Sequence, residues 1–283
     1  MATGPQHPMV GVDSYAPAEI AQLVRTRGVA KARAPADTTL VLGIVAGAFI
    51  ALGGVLATLI ATDSGLGLGP TRWLAGIGFS LGLILVVVAG AELFTGNVLI
   101  VMAWVSRQVS LGGLLRNWAL VYAGNLLGAW SVVGMVYLAE WWRVGDGAVG
   151  RAALATAAAK AALPLGVAFV RGILANALVC LAVWLATAGR SVVDKVFAII
   201  FPISAFVANA FEHSIANAYL VPIGLLLRGR VPAEGIPAEQ LASLDLGGFL
   251  GNLAAATLGN IVGGGVLVAL VYWFVYLRPE RSS

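Results

Sequence analysis

Residues 205–224 read AFVANAFEHSIANAYLVPIG, inside a stretch from Val196 to Leu227 that contains no Lys or Arg. Such an apolar run predicts a passage through a hydrocarbon core of about 30 Å. Its middle nevertheless carries Asn209, Glu212, His213, Ser214 and Asn217. Ionisable side chains at that depth are costly unless paired or wet, and they mark functional positions by default. The segment is also too long for one ordinary helix. Irregular backbone at membrane depth is tolerated where protein buries it or water lines it, so the polar run 208–217 predicts a broken helix.

The rest of the chain agrees with a membrane setting. Of 283 residues, 60% are hydrophobic and only 11% charged, against roughly a quarter charged in soluble domains. Six apolar segments are expected, at about 38–62, 72–106, 113–139, 163–188, 192–228 and 246–277, giving an all-α polytopic membrane protein. The second is interrupted by ELFTGN at 92–97 and predicts a second broken helix. The 36 glycines suit helices that approach closely in lipid. Residues 1–37 carry Asp13, Glu19, Arg25, Arg27, Lys31 and Arg33 without an apolar core of signal-peptide length. They read as a cytoplasmic tail with a short amphipathic surface helix, in which Ile20, Leu23 and Val24 share a face. The channel domain is expected over 38–278, with a cytoplasmic tail at 279–283.

Charge sets the orientation and excludes other classes. The N-tail, the loops at 106–116 and 189–195 and the C-tail carry ten basic residues, against six on the opposite side, which places both termini in the cytoplasm. The net charge of +4 therefore reflects topology. No basic cluster with interleaved aromatics points to nucleic acid. Cys180, the one cysteine, reads as a packing residue, and His7 as a solvated tail residue. No metal-ligand cluster or Walker-type loop is present. An intramembrane enzyme is the distant alternative: Glu212 and His213 resemble acid–base machinery, but neighbours on a helix point about 100° apart and converge on one bond only with help from the break.

An internal repeat runs through the chain. ELFTGN is Glu92-x4-Asn97, and EHSIAN is Glu212-x4-Asn217; downstream, GNLLG at 124–128 answers GNIVG at 259–263. Three spans per repeat, about 38–139 and 163–277, force opposite orientations. Inverted repeats with paired broken helices place a solute site near the midplane.

The motifs FSLGLILVVVAGAELFTGNVLIV, NWALVYAGNLLGA, RGILANALVCLAVW, GRSVVDK, FEHSIANAYLVPIG and LGNIVGGGVLVALVYWFVYLR together resemble the formate/nitrite transporter family, in its formate channel branch, from about Asp13 to Arg278. The resemblance implies an aquaporin-like six-helix protomer with broken helices 2 and 5, assembled as a homopentamer with one pore per protomer in the plasma (inner) membrane. It implies a small anionic solute, formate first, with nitrite and hydrosulfide as rivals, and no cofactor. The family's central histidine falls on His213 and its pore threonine on Thr95. The cytoplasmic constriction falls on Leu93 with Phe79 and Leu83, and the outer one on Phe206. The vestibule lysine falls on Lys160, twelve residues before Gly172 of GILAN, whose asparagine is Asn176. Two departures stand out. FTGN replaces the FTST of some formate channels. Arg171 precedes GILAN where some members are apolar, and either pairs with an acid or sits at a protomer interface.

Chemistry gives each residue a role. The carboxylates of Glu212 and Glu92 are expected to accept hydrogen bonds from backbone N–H groups freed at the breaks, with Asn97 and Asn217 also satisfying broken backbone. His213 has no counterpart in the first repeat, where Leu93 follows Glu92, and is expected to face the solute and to couple anion passage to protonation. Thr95 can cap the second half of helix 2 and also donate to an anion, beside N–H groups of a half-helix N-terminus. Apolar rings on both sides would force a small solute to shed water, and Lys160 would concentrate anions at the mouth.

Overall fold

The structure is a computed structural model that describes residues 14–278. His7, Asp13 and the tail at 279–283 lie outside the described residues. The described chain is helical, without strands. α1 (Pro17–Arg33) is followed by α2 (Ala36–Ala61) and by α3 (Leu68–Ile84), which runs on as a π-helical turn at Leu85–Gly90. After a break come α4 (Phe94–Asn97), a 3-10 turn at Val98–Ile100, α5 (Val101–Val105) and α6 (Leu111–Leu138). α7 (Ala148–Ala161) and α8 (Leu165–Ala188) precede the second broken pair, α9 (Val192–Ala208) and α10 (Ser214–Leu227). A short α11 (Ala238–Ala242) leads to α12 (Leu246–Val262), which continues through a π-helical stretch at Gly263–Leu270 into α13 (Val271–Tyr276).

Among the described residues five helical runs are long and apolar enough to cross a membrane: 36–61, 68–90, 111–138, 165–188 and 246–276. The remaining apolar segment, the fifth in order, is split between α9 and α10, as the polar run at 208–217 predicts. Both breaks use one device. The chain takes a left-handed residue, Gly90 (φ 89°) in one half and Ala210 (φ 52°) in the other. The next N–H then reaches back five residues, from Ala91 to the Val86 carbonyl at 2.9 Å and from Phe211 to the Phe206 carbonyl at 3.1 Å. This six-to-one bond satisfies a carbonyl orphaned by the helix end.

Each half also has a leading helix that the segments 38–139 and 163–277 leave out. α1 starts with Pro17, and the Glu19 carboxylate accepts the Ala16 N–H at 2.8 Å. Its last turn carries Lys31 and Arg33, which suits the helix dipole. Ile20 and Val24 are buried, in one cluster with Leu99, Ile100 and Met102, so α1 is docked across the end of the first half rather than lying free on a surface. α7 plays the same part in the second half. Its alanine-rich sequence lets it lie close to α10, with Ala153, Leu154, Ala157 and Ala158 buried.

Small residues set the distances that matter for the site. α2 crosses α6, and α8 crosses α12, at glycine pairs. A Cβ on Gly172 would lie 2.8 Å from the Ala256 carbonyl, and one on Gly124 would lie 2.7 Å from the Leu40 carbonyl. Only backbones without side chains come this near, and the approach lets an asparagine on α6 or α12 reach the neighbouring break.

Candidate solute path

The two breaks are held by matching sets of hydrogen bonds. At the first, Asn125 Oδ1 accepts the Phe94 N–H at 2.9 Å, while its Nδ2 donates to the carbonyls of Gly43 (2.7 Å) and Glu92 (2.9 Å). At the second, Asn260 Oδ1 accepts the Ser214 N–H at 2.9 Å, and its Nδ2 donates to the carbonyls of Gly172 (2.9 Å) and Glu212 (2.9 Å). The Glu92 N–H donates to the Leu42 carbonyl and the Glu212 N–H to the Arg171 carbonyl. The Phe94 and Ser214 N–H groups and the Glu92 and Glu212 carbonyls beside the breaks are thus satisfied by Asn125 and Asn260, the asparagines of GNLLG and GNIVG.

This corrects the expected roles of Glu92, Asn97, Glu212 and Asn217. They hold each other and a lysine rather than backbone N–H groups. Lys160 Nζ lies 2.8 Å from Glu212 Oε1, and Lys31 Nζ lies 2.8 Å from Glu92 Oε1. The second carboxylate oxygen accepts from Asn217 Nδ2 at 2.6 Å in one half and from Asn97 Nδ2 at 2.6 Å in the other. Asn252 and Asn117 complete the pair, each donating to the carbonyl of the partnered lysine at 3.0 Å. A buried carboxylate needs a cation and several donors to remain ionised, and an asparagine amide is drawn to that charge in preference to a neutral N–H.

Lys160 is therefore not an open mouth charge. Its side chain is 15% exposed and its ammonium is neutralised by Glu212. Lys31, Asn117 and Asn252 had no assigned role in the sequence, although a signal existed. Lys31 precedes Gly43 by twelve residues, as Lys160 precedes Gly172, and both Asn117–Asn125 and Asn252–Asn260 are eight apart.

Between the breaks the halves differ. His213 forms the N-cap of α10, and its Nδ1 accepts the Ala216 N–H at 3.1 Å. Its Nε2 lies 2.9 Å from Thr95 Oγ1. Because Nδ1 accepts, the proton of the neutral ring sits on Nε2 and is donated to the threonine oxygen. The Thr95 hydroxyl hydrogen is then free to be donated elsewhere. Thr95 is not the cap of α4; Leu93 occupies that position. Asn176 Nδ2 donates to the carbonyls of Thr95 (3.2 Å) and Asn260 (2.7 Å), tying α8 to the half-helix α4 and to α12, and its buried Oδ1 has no protein partner.

Apolar residues close this pair on both sides. A cavity of about 420 Å³ opens on the side covered by α1 and ends at Leu83 and Leu93. On the other side Phe206 stacks on His213 with centroids 5.8 Å apart, and Phe79 meets Phe206 edge to face at 5.6 Å. Phe79 thus groups with Phe206, not with Leu83 and Leu93 as expected. It lies one helical turn from Leu83, about 6 Å along α3, and so stands at a different depth. Thr95 and His213 are 0% and 2% exposed, so the path is closed at both rings in this structure.

The comparisons agree with this arrangement. The chain is 42% identical over 275 residues to the formate channel FocA of Escherichia coli (strain K12), covering 95% of this chain and 96% of that one. It is 36% identical over 286 residues to a probable formate transporter of Methanothermobacter thermautotrophicus, covering 95% and 100% of the two chains. A solved structure described as a pentameric formate channel with formate bound superimposes with a TM-score of 0.79 at 40% identity, covering 86% of this chain and 98% of that one. The family model for formate/nitrite transporters matches residues 18–274, and with two ion-paired helix breaks around a shared threonine–histidine pair, the chain belongs to the formate/nitrite transporter family.

Proposed function

We propose that the protein is a membrane channel for small monovalent anions, formate first among them, with a separate path through each protomer of a homopentamer. The observation that carries the reading is the Thr95–His213 pair, 2.9 Å apart and enclosed by Leu83 and Leu93 on one side and by Phe79 and Phe206 on the other. A carboxylate that enters this space meets the free hydroxyl hydrogen of Thr95 and the first-turn N–H groups of a half-helix, which have no intrahelical acceptor. Stripping water from an anion is costly, and these preplaced donors offset part of that loss. The inner-membrane location, with both termini cytoplasmic, rests on the excess of basic residues on the α1 side.

His213 adds the proton. The neutral ring donates through Nε2 to Thr95 and accepts through Nδ1 from Ala216. When a proton from the mouth reaches Nδ1, the Ala216 N–H is displaced and the ring becomes an imidazolium facing the anion. Loss of the Nε2 proton through the Thr95 hydroxyl to a formate oxygen forms formic acid and leaves a neutral ring protonated on Nδ1, which gives up that proton and takes one on Nε2 before Nδ1 again accepts from Ala216. The neutral acid crosses an apolar ring more easily than the anion does. The direct test is uptake of labelled formate into liposomes that hold the purified protein. Uptake above protein-free liposomes that is competed by unlabelled formate is the expected result; no uptake of formate, nitrite or hydrosulfide would sink the channel reading.

A further inference from the structure

The hydrogen bonds that Asn125 and Asn260 make at the two breaks match one for one, and that correspondence gives Arg171 a position. The Glu92 N–H donates to the carbonyl of Leu42, and the Glu212 N–H donates to the carbonyl of Arg171. Leu42 stands one residue before Gly43 and Arg171 one before Gly172, the two glycines whose carbonyls accept from Asn125 and Asn260. Leu42 and Arg171 are therefore equivalent positions in the inverted repeat. Leu42 lines the α1-side cavity. The repeat exchanges the two mouths, so the position equivalent to Leu42 faces the mouth on the α7 side.

Arg171 lies on the seventh residue of α8, about 9 Å from its start, and is half-buried. Its side chain has no ion pair or ring contact among the described residues. The acids at membrane depth are already engaged, Glu212 by Lys160 and Glu92 by Lys31. A guanidinium is a cation, so this position carries a positive charge that no acid among the described residues pairs with.

The same correspondence shows what that charge replaces. The α1-side cavity is lined by Arg27 and Lys195 in addition to the Lys31–Glu92 pair. The equivalent of Arg27, by the spacing of Lys31 to Lys160, is Thr156. The equivalent of Lys195, by the spacing of Glu92 to Glu212, is Ala75. Among the equivalents of the charged α1-side lining residues, the α7 side then keeps only Lys160, already neutralised by Glu212.

We propose that Arg171 is the anion-attracting residue of the α7-side mouth, holding a small monovalent carboxylate next to the Phe206 ring before it passes inward. The proposal rests on the channel reading above and deepens it: Arg171 does the work expected of Lys160. A fixed charge in a low-dielectric mouth raises the local concentration of counter-ions, and screening by salt weakens that effect, with a Debye length of about 10 Å at 0.1 M and about 3 Å at 1 M.

The test is formate current through the purified protein in planar bilayers, recorded against formate concentration on the α7 side, with gluconate as a bulky balancing anion. Arg171→Leu, which installs the residue of the other half, is expected to raise the half-saturating formate concentration about threefold or more at low ionic strength. The gap should close at about 1 M ionic strength, and Arg171→Lys should stay near wild type. An unchanged concentration dependence in Arg171→Leu, or a shift that persists at high salt, overturns the proposal. So does loss of the assembled oligomer in Arg171→Leu and Arg171→Lys alike, which marks a structural guanidinium at a subunit contact. Absence of wild-type formate current alongside a nitrite current refutes formate as the solute, and the same variants read in nitrite then decide the role of Arg171 by the same two outcomes.

Discussion

At the residue scale His213 carries two hydrogen bonds with different purposes. Nδ1 caps α10 through Ala216, and Nε2 faces Thr95. His213→Asn separates them, since asparagine is a good N-cap but does not titrate. The oligomer is expected to assemble, while the pH dependence of formate flux is lost. In the wild type the active form is the imidazolium, so flux should rise as the medium is acidified and decline as pH rises. Stopped-flow formate uptake at a series of pH values reads both proteins, and a matching profile in the Asn variant would make His213 a cap only. Leu93→Ala and Phe206→Ala should admit larger carboxylates such as acetate. Phe206→Ala should have the larger effect, because it also removes the rings stacked on His213 and packed on Phe79. Unchanged size selection in both would reduce these side chains to packing.

At the scale of elements the breaks are the costly parts, and their support can be measured. Ala210 takes a left-handed conformation (φ 52°) where the first half has Gly90 (φ 89°). A side chain in that region costs roughly 1–2 kcal/mol, so Ala210→Gly should raise the unfolding midpoint of the detergent-solubilised protein, and Gly90→Ala should lower it. The ion pairs are a stronger case. Lys160→Met leaves Glu212 buried without its cation, a loss of about 3–5 kcal/mol. The double variant Lys160→Met with Glu212→Gln should recover part of that stability, since it removes the orphaned charge. If the double variant is no better than the single, the lysine serves something other than the carboxylate.

For the whole molecule the inverted repeat fixes where the ends lie relative to the path. α1 covers one mouth and α7 the other, with the excess of basic residues on the α1 side. Cys180 is buried and is the one cysteine in the chain, so a membrane-impermeant thiol reagent has almost no background. Ser14→Cys, next to α1, should be labelled only in inside-out vesicles, and Glu234→Cys, in the loop after α10, only in whole cells or right-side-out vesicles. Labelling of Ser14→Cys from outside would reverse the orientation. Both positions are exposed, which makes a negative result informative.

What the sequence determined by itself is the part that follows from local composition. Apolar runs dictate spans, because the bilayer allows no unpaired backbone. Polar interruptions at 92–97 and 208–217 dictate breaks for the same reason, and two copies of Glu-x4-Asn announce the repeat. His213 stands out as a histidine with leucine at its equivalent place. The tertiary structure alone decided which polar groups meet. By sequence Glu212 is expected to partner nearby N–H groups, but a carboxylate at that depth takes the strongest donor within reach, and Lys160, distant in sequence, is brought there by α7. Asn125 and Asn260 cap breaks on other helices only because paired glycines bring those backbones close. Phe79 and Leu83 sit four apart in one motif, yet the helix rise puts them on opposite sides of the Thr95–His213 pair. Arg171 follows the same rule: the sequence marks a charge in an apolar span, and only the matched backbone bonds at the two breaks make it the counterpart of Leu42.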